Sequence, residues 1–344
     1  MKHLTKPEYL EKGDTIGIIA PSGGLAKFAP HRLDNAIKFL NSQGYKIKEF
    51  PCSRKNNGHE SAPAKERAAE IMAAFTDKEV KAIICLIGGS TANKTLEYLD
   101  FNKIRKNPKI FSGYSDISIL HYALNKKSEL VTFYGPCIMT QFGENPRPLE
   151  YTLKQFYSAV ASSDPIGKIN ASDNYTDEVL NWFDKSDTKR PRKLEDNLGY
   201  EWLRKGNASG KLIGGCLPSI LHLAGTDYWP KYKNNLLFLE LPEGQDFREG
   251  TPLDCADAML ADLRNLGVFG NISGLVFGRP FKYSKEDFEK LKEVILDNTR
   301  DYSFPILYNA NIGHADPIIT IPIGVKAKLD SSKNYFGIIE SGVK

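Results

Sequence analysis

Between Thr15 and about residue 160, short apolar runs alternate with amphipathic stretches. Thr15–Ala20 (TIGIIA) is an apolar run closed by Pro21-Ser22-Gly23-Gly24, a strand followed by a turn. Leu33, Ala36, Ile37 and Leu40 then share one helical face, and Gly44 is placed to end that helix. The spacing predicts strands over Lys46–Phe50, Lys81–Ile87 (KAIICLI), Lys109–Ser112 and Val131–Tyr134. It predicts helices over Ala62–Phe75, Thr91–Leu99 and Ile117–Lys127. Such alternation implies a parallel sheet with helices on both faces. Ligands of such sheets sit beyond the carboxyl ends of the strands, so the turns after Ala20, Ile87 and Ser112 are the places to look.

The pattern changes after residue 164. Residues 165–208 hold few apolar positions, with Trp182 and Trp202 standing out beside a basic run, Lys189–Lys193. They are expected to form an excursion or substrate loop between an N-terminal α/β domain (1–164) and a C-terminal domain (209–344). In the latter, Gly210–Cys216 precedes a helix-like Leu217–Ala224, and Leu236–Leu241 (LLFLEL) and Gly274–Gly278 read as strands. Thr251-Pro252-Leu253-Asp254 resembles a helix start with Thr251 as cap, and Ser284 caps a second helix. Ile318–Ile323, Gly324–Leu329 and Tyr335–Ile339 are late strands, so a mixed, barrel-like domain is expected.

Composition narrows the function. The 344 residues are 41% hydrophobic and 26% charged, as in soluble globular proteins. Lys+Arg 46 against Asp+Glu 42 leaves +4 with no dense basic tract, so no nucleic-acid partner is expected. No apolar run is long enough for a membrane helix, and Met1 to Asp14 lacks the apolar core of a secretory signal. Cys52, Cys85, Cys137, Cys216 and Cys255 contain no CxxC, which argues against a zinc site or a disulfide framework. Reduced thiols and a cytoplasmic location are expected, with no metal and no cofactor.

Gly113-Tyr114-Ser115-Asp116-Ile117 joins a predicted strand to a predicted helix. A serine on such a turn is presented above the sheet, beside N–H groups able to hold an oxyanion. The competing reading is that Ser115 or Asp116 merely caps the helix. A nucleophilic serine needs a base. Of six histidines, His3 lies in the polar N-terminus, His59 in a polar loop, and His31, His121 and His222 in helical stretches. His314 sits in a loop entering a strand, a position open to catalysis, though also ordinary for a surface histidine. Glu240 is a carboxylate inside an apolar strand, which calls for a partner: either this histidine or a structural ion pair. Glu243, Asp316 and Asp116 are rivals. Gly88 to Thr95 nearly spells a P-loop, but Asn93 replaces the second glycine. Trp182 is either a platform for a ring or an anchor for the excursion.

Taken in order, several segments resemble the LD-carboxypeptidase family of serine peptidases. They are Ile18-Ile19-Ala20-Pro21-Ser22, Ile87-Gly88-Gly89, Gly113 to Ile117, Gly210 to Gly215, Phe238-Leu239-Glu240, Gly274 to Gly278, and Gly313-His314 through Pro322-Ile323-Gly324. The resemblance implies a Ser115-Glu240-His314 triad, an N-terminal Rossmann-like parallel sheet, a C-terminal barrel-like domain and a homodimer. With that triad, the N–H groups of Asp116 and of Gly88 or Gly89 are the expected oxyanion donors. Ile87 to Asn93 and Asp177 to Trp182 look more like the branch that confers immunity to microcin C than like murein tetrapeptide carboxypeptidases. That implies Trp182 as a substrate contact, and an aminoacyl-nucleotide conjugate or a small murein peptide as substrate. Phe183-Asp184 and the basic run depart from the branch's pattern. Two other classes stay open: a non-catalytic binding protein for a nucleotide or muropeptide, and a nucleotide-dependent enzyme using Gly88 to Thr95.

Overall fold

The alternating runs of the first half fold as their periodicity predicts. The computed structural model describes residues 4–344, so His3 lies outside the described residues. The order is β1 (Thr15–Ile19), α1 (Pro30–Ser42), β2 (Lys46–Glu49), α2 (Ala64–Thr76), β3 (Val80–Cys85), α3 (Phe101–Arg105), β4 (Ile110–Gly113), α4 (Ser118–Ser128), β5 (Thr132–Tyr134) and α5 (Glu150–Val160). The five strands are parallel, in the order β5-β4-β3-β1-β2. Ile16, Ile18 and Ile19 of β1 and Ile83 and Ile84 of β3 are fully buried, as continuous apolar runs require. In α1, Pro30 occupies the first turn, and Leu33, Ala36 and Leu40 turn into the core. Burying each such leucine contributes about 1.5–3 kcal/mol. The helix expected over Thr91–Leu99 is a 3-10 stretch, Ala92–Tyr98. A 3-10 turn, Ser115–Ile117, precedes α4.

The excursion supplies β6 (Gly167–Lys168), β7 (Asn174–Tyr175), β8 (Glu195–Asp196) and β9 (Glu201–Arg204). There follow β10 (Asn207–Cys216), α6 (Leu217–Leu221), β11 (Asn235–Glu240), α7 (Leu253–Asn265), β12 (Gly274–Gly278), α8 (Lys285–Asn298), β13 (Ile306–Ala310), β14 (Ile321–Ile323), β15 (Lys326–Asp330) and β16 (Tyr335–Ile338). Eight of these strands form a mixed sheet, β6-β16-β15-β10-β11-β12-β13-β9. β10 to β13 run parallel, and the flanking strands run antiparallel. Thus β6 and β9, from the polar excursion, form the two ends of this sheet, while β7 and β8 pair only with each other. Thr251 does not cap α7: Pro252 holds the cap position, and the Thr251 hydroxyl donates to the Pro242 carbonyl. Ser284 caps α8 as expected, accepting from Asp287 N–H. Among the described residues no helix is long and apolar enough to cross a membrane.

The two halves interlock. β14 leaves the C-terminal half and pairs antiparallel with β5, forming the end of the first sheet. The segment between β13 and β14 therefore spans from one sheet to the other, and His314 lies on it.

Candidate active site

Ser115 has φ 63, left-handed backbone that L-residues rarely adopt. Such strain is held by its surroundings and gathers at functional turns. Here Ser118 Oγ donates to the Ser115 carbonyl (2.7 Å) and accepts from Cys216 N–H (3.0 Å). One hydroxyl thus ties the serine turn to the end of β10. His121 is fully buried and bonds the Gly113 carbonyl through Nε2 at 2.9 Å. Burial pushes His121 down to about 4 against that bond, so it is a neutral prop of β4.

Gly88 lies against the serine. A Cβ on it would come within 2.8 Å of Ser115 Cβ, 2.9 Å of Oγ and 3.5 Å of the Asp116 nitrogen. Only glycine lets the two turns approach this closely. Gly89 is at φ +150, where a Cβ would meet Ser22 Oγ at 2.5 Å. The Asp116 side chain serves the same corner: Oδ2 accepts from Ser22 Oγ (2.5 Å) and Ala92 N–H (2.8 Å). Asp116 is thereby occupied, which removes it as a partner for the histidine.

Glu240 ends β11, with its side chain fully buried. Oε2 accepts from His314 Nδ1 at 2.9 Å, and Oε1 accepts from the Tyr134 hydroxyl at 2.6 Å. Gly313, at φ +108, permits this; a Cβ there would collide with Glu240 Oε2 at 2.6 Å. Sequence reasoning places Tyr134 at a strand end and gives it no part in the site. It lies at the end of β5, in the other sheet from Glu240. Burial, reinforced by the Glu240 charge, pushes its hydroxyl well above the ordinary range, so it remains a donor. Ser115 N–H also reaches the Tyr134 oxygen, at 3.4 Å. The signal for Tyr134 was available: a tyrosine in a buried strand needs a partner for its hydroxyl.

On the other side of the imidazole, Nε2 faces Glu243 Oε2 at 3.5 Å. The Tyr114 ring covers His314 with centroids 4.9 Å apart. Burial disfavours the imidazolium, but Glu240, Glu243 and Asp316 together outweigh it and raise His314 to about 9. Among the described residues, no hydrogen bond joins Ser115 Oγ to His314; both line one cavity of about 610 Å³. That volume suits a small ligand.

The excursion forms the far wall of the cavity. Trp182 lines it, and the Arg32 guanidinium lies 4.4 Å from its ring centroid. Arg32 is itself buried among the Met139 and Thr140 carbonyls, Asp187 and Glu144. The tryptophan is half-buried, both an anchor of the excursion and a wall of the cavity. The basic run proves to be a pair of staples. Arg190 grips Glu178 with two hydrogen bonds (2.8 and 2.6 Å). Arg192 bridges Glu144 (3.0 Å) and Asp316 (2.7 Å). Thr176 and Asp316 exchange backbone hydrogen bonds at 2.7 and 2.8 Å, so the excursion is laced to the histidine loop. Asp316 is therefore committed elsewhere, and Glu240 is the carboxylate bonded to His314 Nδ1. Of the other histidines, His31 pairs with Asp187 (3.0 Å), and His59 is exposed and lines the same cavity.

Comparison with known proteins adds relatives to this geometry. The profile of the LD-carboxypeptidase N-terminal domain matches residues 16–135, and that of the LD-carboxypeptidase C-terminal domain matches residues 209–329. The "Probable murein peptide carboxypeptidase" of Bacillus subtilis is 31% identical over 98% of this chain and 95% of its own. The microcin C7 self-immunity protein MccF of Escherichia coli is 29% identical over 96% of this chain and 94% of its own. A solved structure of MccF in complex with aspartyl sulfamoyl adenosine superposes with a TM-score of 0.91 at 26% identity, covering 99% of this chain and 100% of the other.

Proposed function

The chain belongs to the LD-carboxypeptidase family, and from that premise we propose that it is a serine hydrolase cleaving an amide-type bond in a small aminoacyl-nucleotide or peptide substrate. Ser115 Oγ attacks the carbonyl carbon while His314 Nε2 takes its proton. The negative charge on the former carbonyl oxygen falls to the N–H groups of Asp116 and of Gly88 or Gly89. His314 returns the proton to the leaving nitrogen as the bond breaks. Water then attacks the acyl-serine, giving its proton to His314, and the acid departs as Ser115 recovers its hydrogen. Glu240 keeps the Nδ1 proton in place and balances the imidazolium. The observation that carries this reading is the Glu240 carboxylate, fully buried yet shared between His314 Nδ1 and Tyr134, beside a serine held in left-handed backbone.

The aminoacyl-nucleotide substrate is favoured by the cavity's wall. Trp182 offers a ring for a base to stack on, and a related structure carries aspartyl sulfamoyl adenosine. A murein peptide cut at an L,D bond is the alternative, supported by the Bacillus subtilis relative. Incubation with an aminoacyl sulfamoyl adenosine and a murein L,D-tetrapeptide in parallel, followed by mass spectrometry, separates them. The expected result is release of the amino acid from the adenosine conjugate, abolished in Ser115→Ala with the melting temperature unchanged. Release of terminal D-alanine alone assigns the murein reaction. Full activity in Ser115→Ala removes the serine mechanism.

A further inference from the structure

Five carboxylates line the cavity, and four are saturated. Glu144 holds Arg32 and Arg192, and Asp187 holds His31 and Arg32. Glu178 takes Arg190, and Asp316 takes Arg192 and Gln141. Glu243 differs. Its side chain is 28% exposed, but Oε2 is buried and has no hydrogen-bond partner among the described residues; within 4 Å its one ion-pair partner among them is His314 Nε2, at 3.5 Å. Its position is fixed by the backbone. Glu243 pairs with Gly250 in an isolated antiparallel bridge, Gly244 N–H donates to the Glu249 carbonyl, and Thr251 closes the loop onto Pro242. A buried carboxylate oxygen whose one neighbour is a long contact to His314 is under-satisfied, so it marks a place where a better-placed donor can arrive. Both arginines of the cavity are already neutralised, which leaves this corner net negative.

We infer that Glu243 is a specificity-determining residue that receives a protonated amine on the acyl side of the scissile bond. The inference rests on the proposed hydrolysis at Ser115, because Glu243 stands beside the nitrogen that must accept the serine proton. An aminoacyl conjugate places its α-ammonium one carbon from the reacting carbonyl, within reach of that corner. A substrate ammonium that takes Glu243 also draws it off His314 Nε2, leaving that nitrogen to Ser115. The same group would then be read for recognition and for release of the base. Substrates whose amine is acylated leave Glu243 on the histidine and are poorly turned over.

The test compares alanyl sulfamoyl adenosine with its N-acetyl counterpart. For the wild type, kcat/KM is expected to favour the free amine by roughly 10- to 100-fold, the range of one hydrogen-bonded charge pair. Glu243→Gln, which keeps the shape, is expected to bring that ratio close to one by depressing the free-amine reaction. An unchanged ratio in Glu243→Gln overturns the inference. Calorimetric binding of both compounds to Ser115→Ala separates this result from the fate of the hydrolase reading. If the wild type cleaves neither compound but Ser115→Ala binds the free amine in preference, and Glu243→Gln abolishes the preference, recognition stands and hydrolysis falls. Equal binding of both compounds, or of neither, overturns the recognition.

Discussion

Replacing Glu240 by Gln changes one oxygen to a nitrogen and leaves the volume alone, so the consequence can be worked from the hydrogen bonds. Tyr134 is a donor, so the amide oxygen of the variant must face it, at the place of the 2.6 Å bond. The amide nitrogen then faces His314 Nδ1, where the carboxylate accepted at 2.9 Å. An amide N–H donates, so Nδ1 must accept, and the imidazole proton moves to Nε2. That tautomer cannot take the serine proton. Loss of the charged hydrogen bond accounts for about 1.5–3 kcal/mol in the imidazolium-like transition state. That alone is roughly 10- to 150-fold. The wrong tautomer deepens the deficit toward the roughly 10⁴-fold seen when an orienting aspartate becomes asparagine in a serine protease triad. We expect a fall in kcat of about 10³- to 10⁴-fold on an aminoacyl sulfamoyl adenosine, read by product release. The melting temperature should stay within a few degrees, because every buried polar atom keeps a partner. His314, followed by its imidazole NMR signals, should titrate well below the wild-type midpoint. A loss under tenfold in a folded Glu240→Gln protein would falsify the tautomer argument.

Other consequences follow from the same geometry. His314 is raised to about 9 by Glu240, Glu243 and Asp316 against its burial under Tyr114, and a base must be neutral to work. At pH 7 about one molecule in a hundred then carries a neutral imidazole. With a substrate lacking a titratable amine, kcat/KM should climb about tenfold per pH unit toward 9, and Glu243→Gln should move that limb to lower pH. A limb centred at or below 6.5 contradicts the charge arrangement. For stability the sign is opposite: the imidazolium's pairing is fully present below its ordinary 6.5 and is lost as pH rises through about 9, so the melting temperature should fall across that window. Gly88→Ala places a methyl group 2.8 Å from Ser115 Cβ and should lower kcat about 100-fold through displacement of the nucleophile. Retention of half the activity would show that the turn has room the distances deny.

The local parts of the site were readable because their physics is local. Ser115 follows a strand and precedes a helix within a few residues, so its turn was visible in Gly113 to Ile117. Glu240 stood out as a charge in LLFLEL, where burial demands a partner. Which partner was not readable, since Glu240 and His314 meet only after β11 and the segment beyond β13 are laid side by side. Tyr134 looked like one more apolar residue of a buried strand. The basic run showed no partners for Arg190 and Arg192, because Glu144 and Asp316 lie far from Arg192 in sequence and Glu178 meets Arg190 only when the excursion folds back on itself. The edge strands β6 and β9 are too short and polar for periodicity to detect. Ile318–Ile323 was assigned to the second half by its position along the chain, yet Ile321–Ile323 belongs to the first sheet, where β5 offers an open edge.

That displaced strand bears on how the protein is made. A ribosome delivers β5 early and β14 late, so the edge of the first sheet beside Tyr134 stays open through most of translation. His314 emerges in the same late stretch, just ahead of β14. A nascent chain can therefore have the Ser115 turn formed while it still lacks both His314, its proposed base, and the strand that follows it. On the proposed mechanism, competence to hydrolyse arrives with closure of the fold, and a chain interrupted before β14 would leave the ribosome with an exposed strand edge beside Tyr134.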